Sequence, residues 1–310
     1  MTWEQETIQK VLLETVKEQR RARRWKIFFR LVFICIIGGI IYAVSGNDSE
    51  DKSKTGPQVA VVDFNGVISS DSKNYDTVIE GVNAALKDKK TVAVLIRANS
   101  PGGSPVYSDM INNEISRLRK KYPKIPIEFV IEEVCASGCY YAAVAADKIY
   151  ASPASIVGSI GVIYTGFGAT EAIKKLGVDS RLLISGRNKA MGYPFLPESK
   201  EQTAMQQQML DEIHEQFITA VKSGRGNKLG NDSDLFSGRY WIGSDALKLG
   251  LIDGYGTVDN IAREQFKSEN IVDFTPDKDP LDKLSKRLGV EIVDSAKQAV
   301  INSGISGSIN

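Results

Sequence analysis

The sequence predicts an α/β fold built on a mainly parallel sheet. Thr91 to Ile96 is a continuous apolar run, the pattern of a strand buried on both faces, and Ile125 to Val134 is an apolar-rich run that reads as another strand. A glycine-containing turn follows each run, Gly102-Gly103 after the first and Gly138 after the second. Helical periodicity then resumes, so strand and helix alternate, and right-handed crossovers lay such strands parallel.

Gln58 to Phe64 reads as the first strand and Asn65-Gly66 as the turn that ends it. Tyr75, Ile79, Val82 and Leu86 then keep helical spacing. Ser104 and Pro105 suit the N-cap and first position of a second helix, with Val106, Met110, Ile111, Ile115 and Leu118 as its apolar face. Val178 to Ile184 reads as a further strand. Ser199 with Gln202 forms a capping box for a long helix to about Lys222, whose seam of Met205, Met209, Ile213, Phe217 and Val221 is expected in the core. Gly238 to Asp253 reads as a turn plus a short helix that closes the domain.

Charge is nearly balanced, 39 basic residues against 38 acidic, which argues against nucleic acid as a partner. The basic residues crowd the N-terminus, where RRARRWK precedes an apolar stretch. Residues 1–26 are therefore expected as a cytoplasmic basic segment and 27–45 as a single transmembrane anchor in the lipid bilayer, with Arg30 snorkelling to the headgroups. The positive-inside rule then places everything after about Ser45 outside the inner membrane, joined to the anchor by a polar linker over 46–56. The soluble domain is expected over 57–275, and residues 276–310 form an amphipathic tail.

Three cysteines make no disulfide framework. Cys135 and Cys139 are expected as two buried thiols, with a bridge between them as the alternative in an oxidising compartment. Cysteine and histidine are too few for a clear metal-ligand cluster, and no phosphate-cradling GxxxxGK[ST] occurs, so neither a metal centre nor an ATPase is expected.

Ser137 follows the run Ile125 to Val134 and precedes an alanine-rich helix. A serine at such a strand-to-helix switch holds its hydroxyl in the open, with helix amides beside a developing oxyanion. The same residue also fits a plain helix N-cap. Both glycine turns lie at the C-terminal ends of successive strands, the side of a parallel sheet where sites form. A serine nucleophile needs a base. The one histidine, His214, sits mid-helix beside Glu212 and Glu215 and reads as a surface residue, which argues against a Ser-His-Asp triad. A lysine can serve when it is uncharged, a state favoured by burial or by nearby positive charge. Lys189, in the loop SGRNKAMGYPFLP, is a candidate that the sequence does not separate from Lys174 or Lys175.

Five blocks occur in order: NSPGGSP at 99–105, ASGCYYAA at 136–143, ADKIYASPASIVGSIGVI at 146–163, SGRNKAMGYP at 185–194 and GRYWIGSDALKLGLID at 238–253. Together they resemble the signal peptide peptidases, membrane-anchored serine proteases with a Ser-Lys dyad and a Clp-protease/crotonase-like fold of repeated β-β-α and βαβ units. The N-terminal EQRRARRWKIFF resembles the anchors of short Gram-negative members. The resemblance implies Ser137 as nucleophile, Lys189 as general base and Ser159 as the hydroxyl that orients the lysine. It implies Gly103 and Gly138 as backbone donors of the oxyanion hole. Where the family often has a second glycine, this chain has Cys139. The implied substrates are remnant signal peptides and other unfolded apolar segments, and the implied assembly is a homo-oligomeric ring. The resemblance alone implies that no cofactor is needed. Rival expectations are a catalytically silent scaffold of the same fold, a crotonase-type acyl-CoA enzyme, and a thiol enzyme using Cys135 or Cys139.

Overall fold

The computed structural model describes residues 3, 19–21, 23–36, 38 and 56–276. Residues 23–36 are helical (α1). Among the described residues no helix is long and apolar enough to cross a membrane. Part of the expected anchor (37 and 39–45), most of the linker and the tail from 277 onward lie outside the described residues.

A compact unit spans Gly56–Lys278. Its first half repeats one supersecondary step: β1 (Gln58–Asn65), α2 (Asn74–Lys87), β2 (Thr91–Ser100), α3 (Pro105–Lys121), β3 (Ile127–Ala136) and the short α4 (Gly138–Ala143). β1 pairs parallel with β2, and β2 with β3. This is the α/β architecture expected from the alternating pattern. Then come β4 (Lys148–Ala151), β5 (Ile156–Gly158), α5 (Thr170–Lys175), α6 (Lys200–Arg225), β6 (Tyr240–Ile242), α7 (Gly243–Lys248), β7 (Gly254–Tyr255), α8 (Val258–Glu264) and β8 (Ile271–Asp273). The main sheet path runs β6-β5-β3-β2-β1-β8, while β4 pairs with β3 and β7. Among the described residues only the β5–β6 pair is antiparallel.

Alternation along β1 divides the core. Ala60, Val62 and Phe64 join the larger cluster with Val78 and Val82 of α2 and Ile111, Ile115 and Leu118 of α3. Val59 and Val61 face the other way, against Ile261 and Ala262 of α8. Ser104 caps α3, its side chain accepting from the Tyr107 amide, and Pro105 occupies the first turn. Ser199 likewise accepts from the Gln202 amide at the start of α6.

Four expectations need correction. Val178 to Ile184 forms no strand; it is coil, with Leu183 98% exposed. An apolar run becomes a strand only where a neighbour offers a ladder, and this one pairs with nothing in the described chain. Val106 and Met110 stand exposed in the first two turns of α3 instead of facing the core. On α6, Phe217 and Val221 are buried but Met209 is half exposed, so only the C-terminal half of the seam is core. Cys135 and Cys139 are not free thiols; a disulfide joins them. Their Cα atoms lie 5.1 Å apart across the turn, within the span a bridge needs.

Candidate active site

The site gathers at the C-terminal ends of β2, β3 and β5. After β2 the chain turns at Gly102 (φ 98°), held by a hydrogen bond from the Gly102 amide to the buried Ser100 Oγ. Ile68 donates to the Gly102 carbonyl and accepts from the Ser104 amide, so Gly103 is pinned on both sides. A Cβ at Gly102 would lie 2.6 Å from the Ala136 carbonyl oxygen and 2.8 Å from Ser137 Cβ, so the turn rests directly on the serine. A Cβ at Gly138 would lie 2.3 Å from Ser108 Oγ and 3.2 Å from the Gly103 nitrogen. The Gly103 and Gly138 amides are therefore close neighbours, and Gly138, first in α4, has no intrahelical acceptor for its own.

Ser137 occupies the N-cap position of α4, yet its side chain makes no capping hydrogen bond. Its backbone sits at φ 53°, ψ −124°, a conformation that costs a non-glycine residue about 1–3 kcal/mol and persists only where neighbours impose it. They do: the Ser137 amide donates to the Gly158 carbonyl (2.8 Å), and the Ser137 carbonyl accepts from the Tyr141 amide (3.0 Å). Behind the turn, the Tyr140 hydroxyl donates to the Leu251 carbonyl at 2.7 Å. Burial holds that phenol well above its ordinary pKa, so it stays a donor. The Tyr141 hydroxyl reaches Asp109 Oδ1 at 3.0 Å, tying α4 to α3.

Ser159 comes to the same place through the sheet. Ala136 and Gly158 are register partners in β3 and β5, so the residues after them, Ser137 and Ser159, emerge side by side. Ser159 also has a positive φ (52°), held by its amide's bond to the Arg239 carbonyl at 2.9 Å. The four predicted residues Gly103, Ser137, Gly138 and Ser159 thus cluster.

Lys189 stands on the exposed, turn-rich loop that precedes α6. Its amide donates to the Gly186 carbonyl, while its exposed side chain makes no hydrogen bond or ion pair among the described residues. The loop carrying it lies along α6, with Gln202 Nε2 donating to the Arg187 carbonyl. Beside it is a groove of about 730 Å³ lined by Tyr164, Phe167, Ile184, Tyr193 and Leu196. Exposed apolar side chains continue through Ile163, Leu176, Val178 and Leu183.

Sequence reading underrated two features. His214 is not a free surface residue: it is half-buried, and its Nε2 lies 3.1 Å from the carbonyl of Ile160, next to Ser159. Its helical position gave no sign of this non-local contact. Val106, 66% exposed directly beyond Gly103 and Ser104, puts an apolar side chain on the rim. The disulfide also removes Cys135 and Cys139 as thiol nucleophiles.

An uncapped serine in a strained turn, packed against the Gly102-Gly103 turn, is compatible with a serine peptidase. Residues 119–271 match the family model described as Peptidase family S49. A putative protease of Synechocystis sp. (slr0021) is 31% identical over 234 residues, covering 74% of this chain and 80% of that protein. The chain belongs to peptidase family S49. The putative signal peptide peptidase SppA of Enterococcus faecium is 28% identical, over 73% of this chain and 67% of that one. A Brucella abortus protein named Na(+)/H(+) antiporter NhaA is 46% identical over 182 residues, 59% of this chain; the match spans only 25% of that protein's length.

Proposed function

We propose that the protein is a membrane-tethered serine endopeptidase that degrades remnant signal peptides and other unfolded apolar segments on the periplasmic side of the inner membrane. The observation that carries this reading is Ser137: strained, uncapped and packed against Gly102, with the Gly103 nitrogen close to Gly138. Ser137 Oγ attacks the peptide carbonyl as Lys189 takes its proton. The two glycine amides hold the tetrahedral oxyanion. Lys189 returns the proton to the leaving amine, and water hydrolyses the acyl-enzyme. Ser159 orients the lysine.

The exposed apolar segment around Lys189 supports assembly of several copies. A patch of this extent on an isolated chain marks an interaction surface, and its burial would supply the dry setting that a lysine base requires. The groove lined by Tyr164, Phe167 and Leu196 suits apolar substrate side chains.

Cleavage of a signal-peptide-like substrate by wild type, Ser137→Ala and Lys189→Ala tests the reading. Both variants should lose kcat by several orders of magnitude while retaining cooperative unfolding. Wild-type turnover by either refutes the dyad. Lack of cleavage by the wild type, with no labelling of Ser137 by an acyl-serine probe, favours the silent scaffold.

A further inference from the structure

We infer that the Cys135–Cys139 disulfide is a positioning element for Ser137, and that the chain reaches full turnover only after this pair has been oxidised. The inference rests on Ser137 being the nucleophile. Cys135 is the penultimate residue of β3 and is registered with Ser100 on one side and Val157 on the other, so the sheet fixes it. Cys139 is the second residue of α4. The bond therefore ties the end of a strand to the start of a helix, with the nucleophile midway between the two anchors and the Gly138 amide inside the same ring.

The local structure leaves work for such a tie. α4 has six residues, too few to hold a helical start by its own hydrogen bonds. Ser137 sits in a backbone conformation that a free chain avoids, and its side chain contributes no cap to steady the turn. A small relaxation would swing the hydroxyl and the Gly138 amide together away from the Gly103 amide. Nucleophile and oxyanion donor would then move off line at once, and catalysis is steeply sensitive to such displacements.

Both cysteines are fully buried in the larger apolar cluster. As thiols they would be shielded and unreactive, and as a disulfide the pair is sheltered from soluble reductants. Its state is thus set as the domain matures. Formation is a thiol–disulfide exchange: the two thiols release two protons and two electrons, an S–S bond forms, and a disulfide oxidant is reduced to its dithiol. A dithiol reductant reverses the step. A domain that matures in a reducing compartment would keep a slack nucleophile turn, and one that matures in an oxidising compartment would be competent.

The test uses the full-length protein in three forms: oxidised, isolated throughout under dithiothreitol, and Cys135→Ala/Cys139→Ala. Alkylation after denaturation, read by mass, counts the thiols; the reduced form should show all three cysteines. Acylation of Ser137 by an acyl-serine probe and kcat on an unfolded apolar peptide should fall together by about a hundredfold when the bridge is absent. KM should stay within about twofold, and dithiothreitol should not affect the double variant further. A purely structural staple would lower the unfolding temperature yet leave kcat unchanged well below it. Wild-type kcat in the reduced form, or in a cooperatively folding double variant, overturns the inference, as does an active wild type with three alkylatable thiols. If the double variant does not fold, the reduced wild type decides alone. Absence of both cleavage and Ser137 labelling in the oxidised protein would instead refute the peptidase reading.

Discussion

Ser137 and Ser159 stand side by side at the ends of two paired parallel strands, each one residue beyond the registered pair Ala136–Gly158, and each at a positive φ of 53° and 52°. Two neighbouring non-glycine residues in the left-handed half of backbone space are costly. Such strain persists where surrounding contacts over-determine it, commonly at a site that uses it. The pairing of β3 with β5 thus links two residues 22 positions apart, which local sequence pattern cannot do.

Ser159 can be tested with two replacements that separate backbone from hydroxyl. Ser159→Gly accepts the positive φ without strain and should unfold about 1 kcal/mol later than wild type if the turn is otherwise kept. Ser159→Ala keeps the strain. Both lose the hydroxyl, and both should lower kcat about tenfold or more with KM little changed. Activity retained by the glycine variant would mean that only the turn, not the hydroxyl, matters.

Gly102→Ala should damage the site from behind. The added methyl would meet the Ala136 carbonyl oxygen at 2.6 Å and the Gly138 nitrogen at 2.7 Å, both backbone atoms that cannot step aside, at a φ of 98° that alanine avoids. The turn must shift and carry the Gly103 amide with it. On the proposed role of that amide as an oxyanion donor, its loss corresponds to about 10²–10³ in kcat. Steady-state kinetics beside thermal unfolding will show whether catalysis falls further than stability.

The parts of this fold that were legible in the sequence are those set locally. β1, β2 and β3 declare themselves because strands at the centre of a covered sheet are rich in apolar residues, and Ser104-Pro105 and Ser199 announce helix starts through amides that need acceptors. Ser137 was legible as a turn residue, but its freedom from capping was not. The short β5, β6 and β8 were hidden, since three-residue strands exist only by virtue of their partners. Val178 to Ile184 misled for the complementary reason: it has strand composition and no partner. Whether Lys189 serves the serine was illegible for a related reason: its loop is largely exposed on its own chain, so no local packing marks the residue out.

His214 should act on the site through Ile160. A carbonyl only accepts, so Nε2 carries the proton in this 3.1 Å contact. His214→Leu leaves that oxygen without its donor, at a cost of about 1–3 kcal/mol. The turn after Ser159 should loosen, and kcat should drop severalfold. His214→Gln, which can still donate, should recover most of both. Equal behaviour of the two variants in kinetics and unfolding would show that the contact does not matter.

Asp253 anchors the segment behind α4 and gives a pH signature separate from catalysis. It accepts from Arg225 Nη1 at 2.7 Å, Lys228 Nζ at 2.6 Å and the Ile149 amide at 2.8 Å. Burial alone would raise its pKa. Hydrogen bonds from Arg225 and Lys228 outweigh that and hold the carboxyl below its ordinary value of 3.8. A depressed folded-state pKa stabilises the protein above the unfolded value and ceases to do so as pH falls through the folded one. Arg225 is only 2% exposed at its side chain, so Asp253→Asn leaves a buried guanidinium without its counter-charge and should cost about 3–5 kcal/mol at pH 7. Denaturant unfolding at stepped pH should show wild type and variant converging below pH 3.8 as the wild-type carboxylate takes up its proton. A gap that stays constant down to acid pH would mean that the loss at Asp253→Asn is one of shape rather than charge.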